Sequence, residues 1–185
     1  AKMERITTLA VYLARNLAPQ QEETVRRAAQ LAKADLLTSM VGEFPSLQGV
    51  MGRVYAGHDG EPQAVATAIE EHYLPLRAGG AAPSSLAGAL VGLADRMDTL
   101  VGCFAIGEKP TGNKDAFGLR RQALGLISII RHQKLSLSLR ELGQTALSQY
   151  SNLNVSGEQC LDELLSFIRL RFENEQIAEG RPQDV

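Results

Sequence analysis

Apolar residues recur three and four positions apart along most of the chain, the spacing of one face of an α-helix. The first run covers positions 6–17 and ends before Pro19, whose ring cannot continue a helix. The second run has an apolar stripe of Val25, Ala28, Ala29, Ala32, Leu36, Met40, Val41 and Phe44. Because this stripe stays in phase for about five turns up to Pro45, it predicts one continuous helix.

Two further helices are predicted on either side of a turn rich in glycine. Positions 47–55 have the pattern of a short helix, closed by the turn at 57–60. Asp59 or Glu61 is then expected to cap the next helix, because a side-chain oxygen before a first turn accepts a free amide. The buried stripe of that next helix is predicted to be Val65, Ala66, Ile69 and Tyr73.

The most apolar helix is predicted to begin at Ser84 or Ser85 and to continue to Phe104. Its longest apolar run is far shorter than the roughly 20 residues that cross a bilayer, so no membrane span is predicted. A loop at 107–115 contains two glycines and a proline, and it ends on Asp115. This aspartate is a suitable cap for the helix that follows.

Two matches to the capping box predict the last helices, at roughly 139–150 and 158–175. In this motif a Ser oxygen and a Glu or Gln side chain satisfy free amides reciprocally, and the matches lie at 138–141 and 156–159. No alternating stretch of useful length predicts a strand. The sequence therefore predicts an all-α fold of about eight helices.

The composition fits a folded protein without a strongly charged coat. Lys and Arg number 19 against 21 Asp and Glu, and hydrophobic residues make up 44% of the chain. A net charge of −2 excludes a basic nucleic-acid-binding coat, so an anionic partner has to meet a local patch. Cys103 and Cys160 form no C-x-x-C motif and are predicted to be reduced core residues. No apolar signal segment follows the N-terminus, so a cytoplasmic location is expected.

The best candidate for such a patch lies in and after the 107–115 loop. Four cations stand there against Glu108 and Asp115, namely Lys109, Lys114, Arg120 and Arg121. The spacing of the glycines differs from a nucleotide-binding loop, because Asn113 is inserted and Asp115 replaces the hydroxyl that binds magnesium. Two interpretations are open: the patch contacts a phosphate backbone, or its arginines pair with Asp95 or Asp98 of the preceding helix.

Three other groups of residues are candidates for chemistry. His58-Asp59 suggests a metal ligand pair, but no histidine precedes it, so a turn or capping role is favoured over a metal or another ligand. Positions 70–72, Glu-Glu-His, point in different directions on a helix and favour a solvated face. Asp95 and Asp98 share a helix face, where ion pairing is favoured over a shared cation or an acid-base role.

Six segments of the sequence carry a resemblance to a known family. They are 33–44 (KADLLTSMVGEF), 47–55 (LQGVMGRVY), 58–61 (HDGE), 70–75 (EEHYLP), 94–102 (ADRMDTLVG) and 107–121 (GEKPTGNKDAFGLRR). In this order, over about positions 3–175, the chain resembles the β subunit of bacterial glycyl-tRNA synthetase. The resemblance implies an all-helical HD-like domain at 1–175, excised from a longer protein, and a linker at 176–185.

The resemblance also implies partners. They are tRNA(Gly) and a separate α subunit in an α2β2 assembly, without DNA or a membrane. The α subunit would use ATP and magnesium, and this chain is expected to hold no cofactor and no metal. Aligned on the helical pattern of related HD domains, Asp35 and Asp95 stand at former metal positions, and Ala34 stands where a ligand histidine would be.

The sequence therefore predicts a non-catalytic domain that faces tRNA or supports the enzyme structurally. The candidate contacts to RNA or to a neighbouring domain are Arg53, Lys109, Lys114, Arg120 and Arg121. The carboxylates expected to be structural are Asp35, Asp95, Asp98 and Asp115. The alternatives are a scaffold without RNA contact and, disfavoured by the missing histidines, a metal-dependent HD phosphohydrolase.

Overall fold

A computed structural model describes residues 2–150, 157–178 and 180, and these residues contain helices but no β-strand. The α-helices are α1 (Lys2–Leu17), α2 (Glu22–Leu31), α3 (Ser39–Glu43), α4 (Val50–His58), α5 (Gln63–Glu71), α6 (Leu86–Ala105), α7 (Leu119–His132), α8 (Leu139–Leu147) and α9 (Gly157–Ala178). Short 3-10 turns lie at 19–21, 34–37 and 45–47. The all-α prediction is confirmed, and the HD-like arrangement stays a prediction.

Helix α6 is the centre of the fold. It packs against α1, α2, α5, α7, α8 and α9, and 16 of its 20 residues are buried. The predicted start is confirmed at Ser85, whose hydroxyl accepts the Gly88 N–H at 3.0 Å. Because α6 is enclosed on nearly all sides, its polar middle at 95–98 is also inside, and those groups need bonds within the protein.

The ends of the last two helices follow the sequence in part. The Ser138 hydroxyl accepts the Glu141 N–H at 3.2 Å, as the first capping box predicts. The second box includes Ser156, which lies outside the described residues. Helix α9 continues to Ala178, past the predicted start of a linker at 176.

The single long helix predicted over 25–44 is wrong. Helix α2 ends at Leu31, Ala32 is extended, and Lys33 adopts a left-handed conformation with φ of 65°. A 3-10 turn and the five-residue α3 follow. Tertiary bonds explain the break, because the Lys33 ammonium lies 2.8 Å from the Asp95 carboxylate of α6. Such a bond is absent from any local pattern of apolar residues.

The predicted caps of α5 are also wrong. Pro62 occupies the N-cap position of α5 and makes no side-chain cap bond. Glu61 instead pairs with Arg27 of α2, which ties the start of α5 to an earlier helix. Asp59 is exposed and faces its neighbour His58 at 3.3 Å.

Two further sequence predictions concern membranes and thiols. None of the helices in the described part of the chain combines the length and apolar character needed to cross a bilayer. Both cysteines are free, with Cys160 buried and Cys103 partly buried against the core.

Candidate nucleic-acid interface

The start of α7 is shaped by the loop that precedes it. The Asp115 carboxylate accepts the Leu119 N–H at 2.7 Å and the Arg120 N–H at 3.0 Å. This carboxylate therefore satisfies free amides of the first turn, as its predicted capping role requires. The bonds hold Asp115 against the helix end and leave the neighbouring cations on the outside.

Three predicted cations lie around this first turn of α7. Lys114 and Arg121 are exposed, and within the described residues neither makes an ion pair. Arg120 donates from Nη2 to the Gly112 carbonyl at 2.6 Å, and its Nη1 lies 4.0 Å from Asp115. Most of the positive charge here is therefore available to a partner outside the chain.

Two arginines that the sequence analysis missed extend this region. Burial lowers the pKa of the Arg171 guanidinium on α9, and the positive charge of Arg120 lowers it further, so the two groups are close. Arg171 also stacks on the Phe167 ring, with 3.7 Å between the guanidinium carbon and the ring centroid. Arg77, from the loop after α5, lines the same small depression as Arg121.

We refer to these five residues as the α7 cationic surface: Arg77, Lys114, Arg120, Arg121 and Arg171. They come from three separate parts of the chain, so no sequence window contains all of them. Of the carboxylates beside them, Asp115 accepts amides of α7 and Glu175 pairs with Arg131 at 3.2 Å. The surface as a whole is positive, although the chain carries a net charge of −2.

The remaining two candidate contacts are paired within the protein. The Lys109 ammonium forms an ion pair with Glu163 of α9, and this bond lowers the pKa of the Glu163 carboxyl. Arg53 lies on α4, where its Nε is 2.6 Å from the Glu70 carboxylate of α5. Exposed pairs of this kind are weak, about 0–1 kcal/mol, but they neutralise the cation. Lys114 and Arg121 are therefore the stronger candidates.

The pairing of Arg120 or Arg121 with the α6 carboxylates, one of the two open interpretations, is wrong. Asp98 is fully buried and accepts from Arg5 Nε of α1 at 2.6 Å and from the Tyr150 hydroxyl at 3.1 Å. Asp95 lies 2.8 Å from Lys33 and 3.3 Å from Lys2. The physical reason is that α1 and the chain after α2 supply cations to the carboxylate-bearing face of α6.

The Asp95 carboxylate belongs to a small buried charge network. Burial raises the pKa of its carboxyl, but the positive charges of Lys33 and Lys2 outweigh burial, and the net pKa is lowered. The Lys33 ammonium also lies 3.5 Å from His72 Nε2 and 4.6 Å from the centroid of the Tyr73 ring. A lysine therefore occupies the space between the histidine and the aspartate.

The predicted solvated face at 70–72 is wrong for His72. The imidazole is fully buried, and its Nδ1–H donates to the Ile69 carbonyl at 2.6 Å. Burial, and then the positive charge of Lys33, lower the pKa of His72 to about 4. The ring is therefore neutral at pH 7, and its burial between α5 and α6 overrides the polarity of the sequence around it.

Asp35 anchors the irregular connection between α2 and α4. It is buried, and it accepts the Gly49 N–H at 2.6 Å and the Tyr73 hydroxyl at 3.0 Å. Gly49 has φ of 82°, and a Cβ there would lie 2.8 Å from the Tyr73 ring, so the turn requires glycine. The carboxylate is thus engaged in structural bonds on both oxygens.

Arg96 is a structural residue that the sequence analysis did not single out. Its guanidinium donates at 3.1–3.2 Å to four carbonyls, those of His72, Tyr73, Pro75 and Gly92. Burial lowers the pKa of Arg96 to about 10. A surface arginine and a buried arginine have the same code letter, so only packing distinguishes the two.

The described residues contain no group of three or more His, Cys, Asp or Glu side chains arranged to hold a metal ion. His58 and Asp59 are both largely exposed at the end of α4. The geometry thus defines an all-helical protein with internally bonded buried charges and a cationic surface open to an anionic partner.

The comparison with known families identifies this class of protein more closely. The family described as glycyl-tRNA synthetase beta subunit matches residues 1–185, and the chain belongs to that family.

Individual relatives agree with this family. The chain is 49% identical over 185 residues to the glycine–tRNA ligase beta subunit of Trichlorobacter lovleyi, covering 100% of this chain and 27% of that protein. It is 48% identical over the same span to the beta subunit of Syntrophotalea carbinolica and 45% identical over 186 residues to that of Syntrophomonas wolfei. The chain thus spans 27% of the length of each of these relatives.

Proposed function

We propose that this chain is a non-catalytic, tRNA-facing helical module that supports the glycylation of tRNA(Gly) by a glycine–tRNA ligase. Membership of the beta-subunit family supports the reaction. The observation that carries the tRNA contact is the α7 cationic surface, where Lys114 and Arg121 are exposed without an ion pair. Exposed cations of this kind attract a phosphate backbone whatever its sequence.

The chemistry of this surface favours backbone contact over base reading. Lysine and arginine side chains bind phosphate oxygens, and such contacts fix the position of a nucleic acid without reading its sequence. Phe117, in the loop just before α7, is the exposed aromatic nearest in sequence to these cations. In the proposed complex its ring is available to stack on an unpaired base. We therefore assign this module a positioning role.

The remaining parts of the reaction are assigned to other parts of the enzyme. We propose that the α subunit uses ATP and magnesium, and that the two subunits form an α2β2 assembly with tRNA(Gly) as substrate. Family membership supports this division. In this proposal the chain itself binds no cofactor, and its buried carboxylates serve the fold.

The proposal is tested by charge reversal in the complete enzyme containing α and full-length β subunits. We expect Arg121→Glu or Lys114→Glu to raise the KM for tRNA about tenfold, because one phosphate contact is lost and a repulsion is added. Glycyl-adenylate formation, measured without tRNA by pyrophosphate exchange, is expected to stay unchanged. The salt dependence of log KM is expected to fall by about one unit per lost contact.

Lys134→Glu is the matched control. Lys134 is exposed and makes no ion pair among the described residues, and it follows the opposite end of α7, about 20 Å away. The same charge change there is expected to leave the KM for tRNA within twofold of wild type. Equal effects of Arg121→Glu and Lys134→Glu, or no effect of either Lys114→Glu or Arg121→Glu, would remove the tRNA contact.

A second role, structural support of neighbouring parts of the enzyme, is favoured by a different observation. Large apolar side chains are concentrated on the surface around α3. Hydroxyl-radical footprinting of the tRNA-bound enzyme separates the two roles. Protection of 111–121 that depends on tRNA supports the contact, whereas protection that is the same without tRNA supports the scaffold alone.

A further inference from the structure

The surface around α3 exposes apolar side chains that the rest of this chain does not cover. Of twelve large hydrophobic residues exposed in the described part of the chain, six lie within residues 36–55. We call these six the α3 apolar surface: Leu36, Leu37, Met40, Phe44, Val54 and Tyr55. Scattered exposed apolar residues are normal, but a concentration of them marks an interaction site.

The sequence pattern supports this interpretation independently. Leu36, Met40 and Phe44 continue at intervals of four the stripe that begins in α2. The first part of the stripe is buried in the core, from Val25 to Ala32. After the break at Lys33 the second part lies on the outside. These three positions thus keep the spacing of a buried stripe but have no core of their own within the described residues.

A groove lies beside this surface and adds a place for an apolar anchor. It has a volume of about 490 Å³ and is lined by residues that include Leu31, Ala34, Tyr55, Ala56 and Ile69. Leu37, in the same 3-10 turn as Ala34, is 91% exposed. Interfaces gain most of their affinity where a side chain fills such a pocket, so the groove and the exposed leucine suit a protein partner.

The charges around the surface exclude RNA and a second copy as the favoured occupant. Its cations are neutralised, with Arg27 paired to Glu61 and Arg53 paired to Glu70. Glu43 and Asp59 are exposed and are not paired with a lysine or arginine among the described residues. Phosphates would be repelled, and a twofold dimer would bring the same carboxylates of both copies together.

We propose that the α3 apolar surface docks against the part of the β subunit that lies outside these 185 residues. The chain spans 27% of its relatives, so most of the subunit is available on the same polypeptide. A tethered partner binds at an effective concentration of about millimolar, which favours it over a separate subunit. The docking segment presents an apolar face with lysine or arginine at its rim, complementary to Glu43 and Asp59. This inference rests on family membership and not on the tRNA contact.

Site-specific photo-crosslinking in the complete enzyme tests the proposal. Leu37 is replaced by p-benzoylphenylalanine in full-length β, which is purified with α and irradiated with and without tRNA. The expected product has the mass of one β chain and joins position 37 to a β peptide outside the region of residues 1–185. A crosslink to α, to tRNA or to a second β chain overturns the proposal. So does a yield no greater than that from the same replacement at the exposed Gln20.

A second variant measures the energetic side of the docking. Leu37→Glu in full-length β is expected to speed amide hydrogen exchange at least tenfold in 34–55 and in one remote segment of the subunit. Leu76→Glu is the matched control, because Leu76 is also an exposed leucine but lies outside the α3 apolar surface. Unchanged exchange in Leu37→Glu, or the same change in Leu76→Glu, contradicts the docking. An unchanged KM for tRNA in the Arg121→Glu enzyme would leave this result unaffected.

Discussion

The charged side chains in the middle of α6 and those at the start of α7 have opposite environments. Around α6, Asp95, Arg96 and Asp98 are buried and bonded to groups of the same chain. At the start of α7, Lys114 and Arg121 are exposed and make no ion pair among the described residues. The first group holds helices and loops together, and the second is open to an anionic partner.

The difference teaches how to separate structural from functional charge in this protein. A buried charge pays a desolvation cost that only internal bonds offset, so its removal changes stability. An exposed, unpaired cation contributes little to stability, so its removal changes binding. The two regions are therefore expected to respond in opposite ways to substitution, and the experiments below test that contrast from the largest expected effect to the smallest.

Arg96→Met is expected to have the largest effect on stability. It removes the donors from four carbonyls around the loop after α5, and an unsatisfied buried acceptor costs about 1–3 kcal/mol. Relief of the buried charge offsets part of this, so we expect a loss of about 4 kcal/mol in the free energy of unfolding. Denaturant titration of the 185-residue chain measures it.

Arg96→Lys is the control for this substitution. It keeps the positive charge, but one ammonium group cannot reach all four carbonyls, so only part of the stability is expected to return. A loss below about 1 kcal/mol for Arg96→Met would show that desolvation of the charge costs as much as its bonds return. The contrast between the two regions would then fail on the buried side.

The pH dependence of stability should report His72. Its pKa is about 4 in the folded chain and 6.5 when unfolded, so the unfolded state binds more protons between these values. Stability is therefore full above about pH 6.5 and falls as the pH falls, by about 2 kcal/mol between pH 7 and pH 5. Urea titrations across this range measure the slope, and His72→Gln is expected to remove it.

Asp95 contributes in a different pH window. Its folded pKa is lowered from 3.8, so its contribution is present above about pH 4 and is lost as the pH falls through the lower folded value. The two groups can therefore be separated by pH. If the slope between pH 7 and pH 5 persists in His72→Gln, a group other than His72 is responsible.

The smallest effect on stability is expected at the α7 cationic surface. Lys114→Glu and Arg121→Glu should each change the free energy of unfolding by less than about 0.5 kcal/mol, because both side chains are exposed and unpaired. Thermal or urea unfolding of the chain measures this. A loss above about 1 kcal/mol would show that these cations serve the fold, and an altered KM for tRNA would then no longer indicate direct contact.

The fold was predictable from the sequence where local signals and packing agree. Ser85 begins α6 and Ser138 begins α8 as their hydroxyls require, because a cap bond involves only nearby residues. The stripe over 25–44 misled because its apolar spacing is regular, yet the Lys33 bond to α6 interrupts the helix. Periodicity records which side chains need burial, and it does not record what buries them.

The candidate site was predictable only in part, for a similar reason. The 107–121 segment contains three of the cations on the α7 cationic surface, so its charge was visible in the sequence. Arg77 and Arg171 join them only through packing of the loop after α5 and of α9. The pairing of Lys109 with Glu163 likewise joins residues 54 positions apart.

The sequence by itself determined the helical class, the loop before α7 and the family, because these depend on local spacing and on similarity along the whole chain. The tertiary structure alone decided which charges are internal. His72 and Arg96 resemble surface residues in sequence, but packing around α6 removes them from water and bonds their polar atoms. Burial depends on contacts between distant segments, which no local pattern encodes.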